Sequence, residues 1–82
     1  MTTRQTYNVI FKPEPEGGFT VVVPSLPGCV TYGADLVEAR TMVTDAINGY
    51  VASLRKHNEP IPNDDDSFMT SVGVDISHQA YA

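Results

Sequence analysis

Apolar and polar residues alternate near the start of the chain. Tyr7, Val9 and Phe11 fall on one side, and Asn8, Ile10 and Lys12 on the other. A period of two is the mark of a half-buried strand. Pro13 ends it, because proline has no amide to give to a ladder. Ile10 interrupts the polar side, so part of that face is expected to be covered. Pro13-Glu14-Pro15-Glu16-Gly17-Gly18 has turn composition and leads into the β-branched run Phe19-Thr20-Val21-Val22-Val23, which predicts a hairpin. Pro24 stops that run. Pro27-Gly28 supplies a second turn, and Cys29-Val30-Thr31-Tyr32 reads as a third strand folded back on the second.

The period then changes. Leu36, Ala39, Val43, Ala46, Ile47, Tyr50, Val51 and Leu54 recur at spacings of three and four, which predicts a helix over residues 36–56 with one apolar stripe laid on the sheet. Asp35 is its N-cap, and Glu38 three residues later makes an Asp variant of the capping box. Gly49 costs about 1 kcal/mol against Ala in a helix interior and suggests close approach to the sheet or a partner. Arg55, Lys56 and His57 in the last turn suit the helix dipole. Pro60 and Pro62 forbid a longer helix, and residues 58–66 form a loop. Phe68 to Ile76 reads as a fourth strand, with Val72, Val74 and Ile76 on one face and Gly73 and Asp75 on the other. The predicted order is βββαβ without internal repeat, an α+β fold of two layers with one helix on an antiparallel sheet.

Composition narrows the function classes. The chain has 82 residues, read as one domain over 1–82 with a core from about 6 to 76, a frayed N-terminus and a short C-terminal tail. So short a chain buries a small share of its surface, so a homodimer or larger homo-oligomer is expected. Lys and Arg number 5 against 10 for Asp and Glu, a net charge of −5. That balance lacks the basic footprint of a nucleic-acid binder and suits a basic protein partner. Cys29 is the sole cysteine, which excludes an internal disulfide and fits a reducing compartment. Met1-Thr2-Thr3-Arg4-Gln5 has no apolar leader core, and no apolar run nears the roughly 20 residues of a membrane span. The expected location is the cytoplasm.

Groups with potential chemistry have simpler explanations. Cys29 has no helix start or basic residue beside it in sequence to lower its pKa, so a buried small side chain is the favoured reading. His57 sits at a helix end and His78 in the tail, neither with ligand spacing. Asp64-Asp65-Asp66 lacks the spaced pattern of a calcium loop, and a solvated loop is favoured. Gly17, Gly18, Gly28 and Gly33 are accounted for by turns, with no lysine or basic helix start to make them a phosphate cradle. No catalytic residue, metal ligand or cofactor site is assigned.

Residues 23–39 carry a resemblance. Val23-Pro24-Ser25-Leu26-Pro27-Gly28-Cys29-Val30-Thr31-Tyr32-Gly33, followed by Glu38-Ala39, is similar to the run v-P-x-l-P-G-C-x-T-x-G-x-s-x-x-E-A of the HicB family of antitoxins. Pro24, Pro27, Gly28, Cys29, Thr31, Gly33, Glu38 and Ala39 stand at the matching positions. Tyr7 to Phe11, Glu16-Gly17-Gly18-Phe19 and Pro60-Ile61-Pro62 resemble the family's first strand, hairpin and proline motif, so the likeness covers about residues 5–76. The resemblance implies a partial ribonuclease-H-like fold. It also implies an antitoxin role of type II, binding a small basic HicA-type toxin, an mRNA-cleaving ribonuclease with a catalytic His, and blocking its active site. Many members continue into a C-terminal DNA-binding segment. This chain ends at Ala82, so it resembles a short member and no direct nucleic-acid binding is expected of it.

Two other readings are weighed beside it. One is a solitary interaction module of the same fold with no toxin partner. The other is a weak hydrolase of ribonuclease-H type, disfavoured because Asp75 is the one acid in the predicted strands and Glu38 already has a capping role. The candidate partner surface comprises Glu14 and Glu16 in the hairpin, Asp64, Asp65 and Asp66 in the loop, and the exposed faces of the first and last strands.

Overall fold

A computed structural model describes residues 4–77. Of residues 1–6, expected to fray, residues 1–3 lie outside them, as do residues 78–82 of the tail expected from Ser77; Thr6 is not frayed, its amide donating to Asp65 at 2.9 Å. The elements are β1 (Ile10–Pro13), β2 (Phe19–Val22), β3 (Val30–Gly33) and α1 (Leu36–Lys56). The strands form an antiparallel meander in the order β1-β2-β3, and α1 packs mainly on β3 and β2. This is the expected α+β arrangement of a sheet and one helix.

Register sorts the side chains. Phe11, Val21 and Thr31 lie side by side in one cross-strand row, and Ile10, Val22 and Val30 in the next. Successive residues of a strand point to opposite faces, so the first row meets α1 and the second faces away. The core is Val21, Val23, Leu26, Cys29, Ala39 and Val43, flanked by Tyr7, Val9, Phe11, Phe19, Ala46, Ile47 and Tyr50. Fully burying a Val or Leu side chain is worth about 1.5–3 kcal/mol, so Val21, Val23 and Leu26, which are the largest fully buried side chains, anchor the packing.

β1 begins three residues later than the alternation suggests. The pairing of β1 with β2 ends at Ile10 and Val22, and the next residue, Val23, bonds on the β3 side, its amide donating to the Cys29 carbonyl at 3.1 Å. Tyr7 and Val9 therefore pack on the core with no strand beside them. The helix matches its predicted span. Its N-cap Asp35 accepts from the Glu38 amide at 2.8 Å, while the Glu38 carboxylate accepts from the Ala34 amide at 2.7 Å, one residue before the cap. At the other end Asn58 adopts φ +56°. The Glu59 amide donates to the Leu54 carbonyl at 2.9 Å and the Asn58 amide to the Arg55 carbonyl at 3.1 Å, the paired bonds of a Schellman ending.

Three expectations are corrected. Leu36, placed in the apolar stripe, is 52% exposed, because it lies one turn ahead of Ala39, past the end of β3. Gly49 makes no close approach to the sheet, since a Cβ there would meet nothing within 4 Å. Among the described residues, Phe68 to Ile76 forms no strand and does not join the β1-β2-β3 sheet, and Phe68, Val72, Val74 and Ile76 are 69–85% exposed. After the turn closed by the Ser67 amide on the Asp64 carbonyl, the segment leaves the body. The longest dimension is 53 Å and the radius of gyration 16.4 Å, against about 12 Å for a compact chain of this length.

Candidate functional site

The stretch from Val23 to Ala39 is built as two tight turns and a strand-to-helix corner. The Leu26 amide donates to the Val23 carbonyl at 3.0 Å, and the Cys29 amide to the Leu26 carbonyl at 2.9 Å. In the second turn Pro27 precedes Gly28, whose φ of +82° is the type II geometry that favours glycine. The turns aim Leu26 and Cys29 into the core and leave Pro24, Pro27 and Gly28 outside. Tyr50 donates its hydroxyl to the Pro27 carbonyl at 2.8 Å, tying helix to loop. Burial pushes the Cys29 thiol above its ordinary range, so thiolate is scarce. Thr31 lies half-buried in the inner row. Gly33 is buried against Ala39: a Cβ on Gly33 would strike the Ala39 amide and Cα and come within 2.7 Å of its Cβ. These motif residues shape the turns and the strand-to-helix corner.

The acidic loop behaves differently from its sequence reading. Asp64 is buried rather than solvated. Its carboxylate accepts from the Ser25 hydroxyl at 2.5 Å and from the Asn8 amide at 2.8 Å, and its own amide donates to the Thr6 carbonyl at 2.8 Å. The Ser25 and Asn8 donors hold this carboxyl below its ordinary range, against the effect of desolvation. Asp65 accepts from the Thr6 amide at 2.9 Å, and Tyr7 donates to the Pro62 carbonyl at 2.6 Å. Burial, with Asp64 and Asp65 nearby, pushes the Tyr7 phenol up. One side of the loop is thus knotted to the start of the chain, while Asp66 is exposed.

The predicted partner residues do not converge. Glu14 accepts from the Thr20 hydroxyl at 2.7 Å and is half-buried, while Glu16 stands exposed at the hairpin tip. Asn8, where Asp64 is tied, is six residues from Glu14, up to about 20 Å of extended chain. The two acidic groups therefore flank opposite ends of the first hairpin. His57 has its Nδ1 2.8 Å from the Ser53 carbonyl oxygen at the helix end. Among the described residues no three His, Cys, Asp or Glu side chains gather to hold a metal ion.

Two uncovered surfaces remain. The outer sheet face carries Ile10, Val22 and Val30 in a row, with Val30 55% and Tyr32 50% exposed. On the inner side, between the free edge of β1 and the flank of α1, lies a groove of about 640 Å³. Its floor is Tyr7, Val9, Phe11, Val43, Ile47 and Val51, and Arg4, Arg40 and Arg55 stand around it. Three of the five Lys and Arg residues are thus gathered at one groove, which leaves the rest of the surface strongly acidic.

Residues 7–78 match the family model described as HicB-like antitoxin of bacterial toxin–antitoxin systems. The chain belongs to the HicB-like antitoxin family. Similar proteins include a UPF0150 protein of Thermoplasma acidophilum, 44% identical over 64 residues that make up 78% of this chain and 93% of that one. A UPF0150 protein of Synechocystis is 36% identical over 67 residues, covering 79% and 85%. An uncharacterized 14.9 kDa protein of Haemophilus phage HP1 is 29% identical over 73 residues, and this chain spans about 55% of its length. A HicB-like frame makes the turn-and-corner motif legible as scaffold. The groove arginines and the Asp64 knot carry no motif. Arg4 and Arg40 are 36 positions apart in sequence, and only the fold of helix against β1 brings them together.

Proposed function

We propose that this chain is the antitoxin of a type II toxin–antitoxin pair, and that it binds and inhibits a small basic HicA-type mRNA-cleaving ribonuclease. The observation that carries the reading is the family match over residues 7–78. Charge supports it: outside the groove, ten acids face two lysines, Lys12 and Lys56. Such a field speeds encounter with a cationic protein and steers its approach. The proposed contact residues are the exposed acids Glu16, Asp65 and Asp66, with Glu14 and Asp64 as their structural supports. Inhibition in this reading is occlusion of the toxin's active site by a single domain over residues 1–82 that performs no catalysis, in the cytoplasm where the toxin would meet mRNA.

The test is co-expression with the small basic protein encoded next to this gene. Growth arrested by the toxin alone should be restored, and purified chain should stop RNA cleavage in a stoichiometric titration. If no small basic protein is encoded beside it and pull-down recovers none, the chain is a solitary module and the antitoxin reading fails.

A further inference from the structure

We propose that the groove between β1 and α1 is a docking site for an extended acidic segment of another protein, laid along the outer edge of β1 as an added strand. This inference does not depend on the antitoxin reading.

Main-chain chemistry points to it first. At the hairpin the Glu14 amide donates to the Gly18 carbonyl, and the Glu14 carbonyl accepts from the Gly17 amide. The even-numbered residues before Glu14 therefore direct their main-chain groups toward β2. The Asn8 amide keeps that phase, since it bonds Asp64 where Asp64 also meets Ser25. Tyr7, Val9 and Phe11 turn their amides and carbonyls the other way, to the edge of the sheet. Among the described residues no backbone bond reaches those groups. An edge with alternate groups open is the template that an added strand uses. Beside it lies the apolar floor, where Tyr7, Val9, Phe11, Ile47 and Val51 are half-buried. An added strand turns every second side chain to one face, so the segment that fits has apolar residues at alternate positions.

Charge selects the occupant. None of the twelve described residues around the groove is acidic, in a chain with ten acids, and guanidinium groups stand at both of its ends. Arg40 and Arg55 are fifteen residues apart on α1, about 22 Å. Arg4 belongs to the Arg55 end, because Tyr7, three residues on, donates to the Pro62 carbonyl beyond that helix terminus. About seven extended residues cover the span. The fitting segment thus has an acid at each end and two apolar residues between them on the same face. Its charge is opposite to that of a partner drawn to the exposed acids, so the chain carries two docking surfaces of opposite sign.

The probe is the capped peptide Asp-Thr-Val-Thr-Val-Thr-Glu, titrated into the isotope-labelled full chain and followed by amide NMR shifts. It should bind saturably and move the amides of Tyr7, Val9 and Phe11 more than those of Val30 and Tyr32 at the opposite edge of the sheet. Lys-Thr-Val-Thr-Val-Thr-Lys, and the acidic peptide with both Val replaced by Ser, should each bind at least about tenfold more weakly. R40E/R55E, changed only at exposed positions, should keep the fold by circular dichroism and reverse the preference between acidic and basic peptides. N-methylating alternate peptide amides should abolish binding for the set that faces β1 and spare it for the set that faces solvent. An acidic peptide that moves none of the three edge amides overturns the proposal. So does equal binding of the basic or Ser peptide, a preference unchanged in R40E/R55E, or indifference to both methylation patterns. Shifts at those amides that grow with chain concentration alone, and that the peptide cannot displace, overturn it too, since the groove then belongs to a second copy.

Discussion

Gly33 and Asp64 show how one residue can decide local geometry. At Gly33 the obstacle is the backbone of α1, which cannot rotate away as a side chain would. Gly33→Ala should therefore destabilise by about 3 kcal/mol, the upper end of the overpacking range, read as a lower urea midpoint with unchanged slope. Asp64 predicts a pH effect. Its carboxyl is held below the ordinary value of 3.8 in the folded chain, so the folded state binds fewer protons than the unfolded one there. The stabilisation is present above that value and is lost as pH falls through the folded one. Thermal melts between about pH 5 and 2 should show a steeper acidic loss for the native chain than for Asp64→Asn. Gly33 was legible as a break, though not as a contact, because its partner Ala39 lies across a corner. Asp64 was hidden among three identical residues. Nothing local separates it from Asp65 and Asp66; only the fold places Ser25 and Asn8 against it.

Elements were read well where their signals were local. The helix ends follow from Asp35 and Glu38 at one side and from Pro60 beyond the other, and both hairpins follow from their turn residues. Reading failed where a partner strand was required. Val72, Val74 and Ile76 alternate as a strand should, yet a ladder needs a free edge at the right place, which alternation does not encode. Gly49 is the helix's weak position. With open space around it and no contact to lose, Gly49→Ala should raise stability by about 1 kcal/mol through helix propensity, measured as an upward shift of the urea midpoint. A Gly49→Ala protein that is less stable, or that no longer binds its partner, would reveal a contact made only in the complex.

For the whole molecule, charge and shape divide the surface. Three of the five bases collect at one inner groove, acids spread over the hairpin, the helix and the loop, and apolar residues stand bare on the outer sheet and in residues 68–76. The family match explains the scaffold, while the surfaces that would choose partners have no sequence signature. A groove built from β1, α1 and the N-terminal segment cannot be seen in any one of them. The exposed acids are likewise chemically ordinary, and only their distribution distinguishes them.

The knot at Asp64 also sets the order in which the molecule closes. The meander and helix join neighbours along the chain, which cost little loop entropy to form. The bonds from Thr6, Asn8 and Ser25 to Asp64 and Asp65 span 39–59 positions, so they complete the fold after the local pieces exist. They should also be first to open. The amides of Thr6 and Asn8 would then exchange hydrogen by local opening at a smaller free energy than that of Val21 in the buried strand. The start of the chain would behave as a latch on a frame that stands without it.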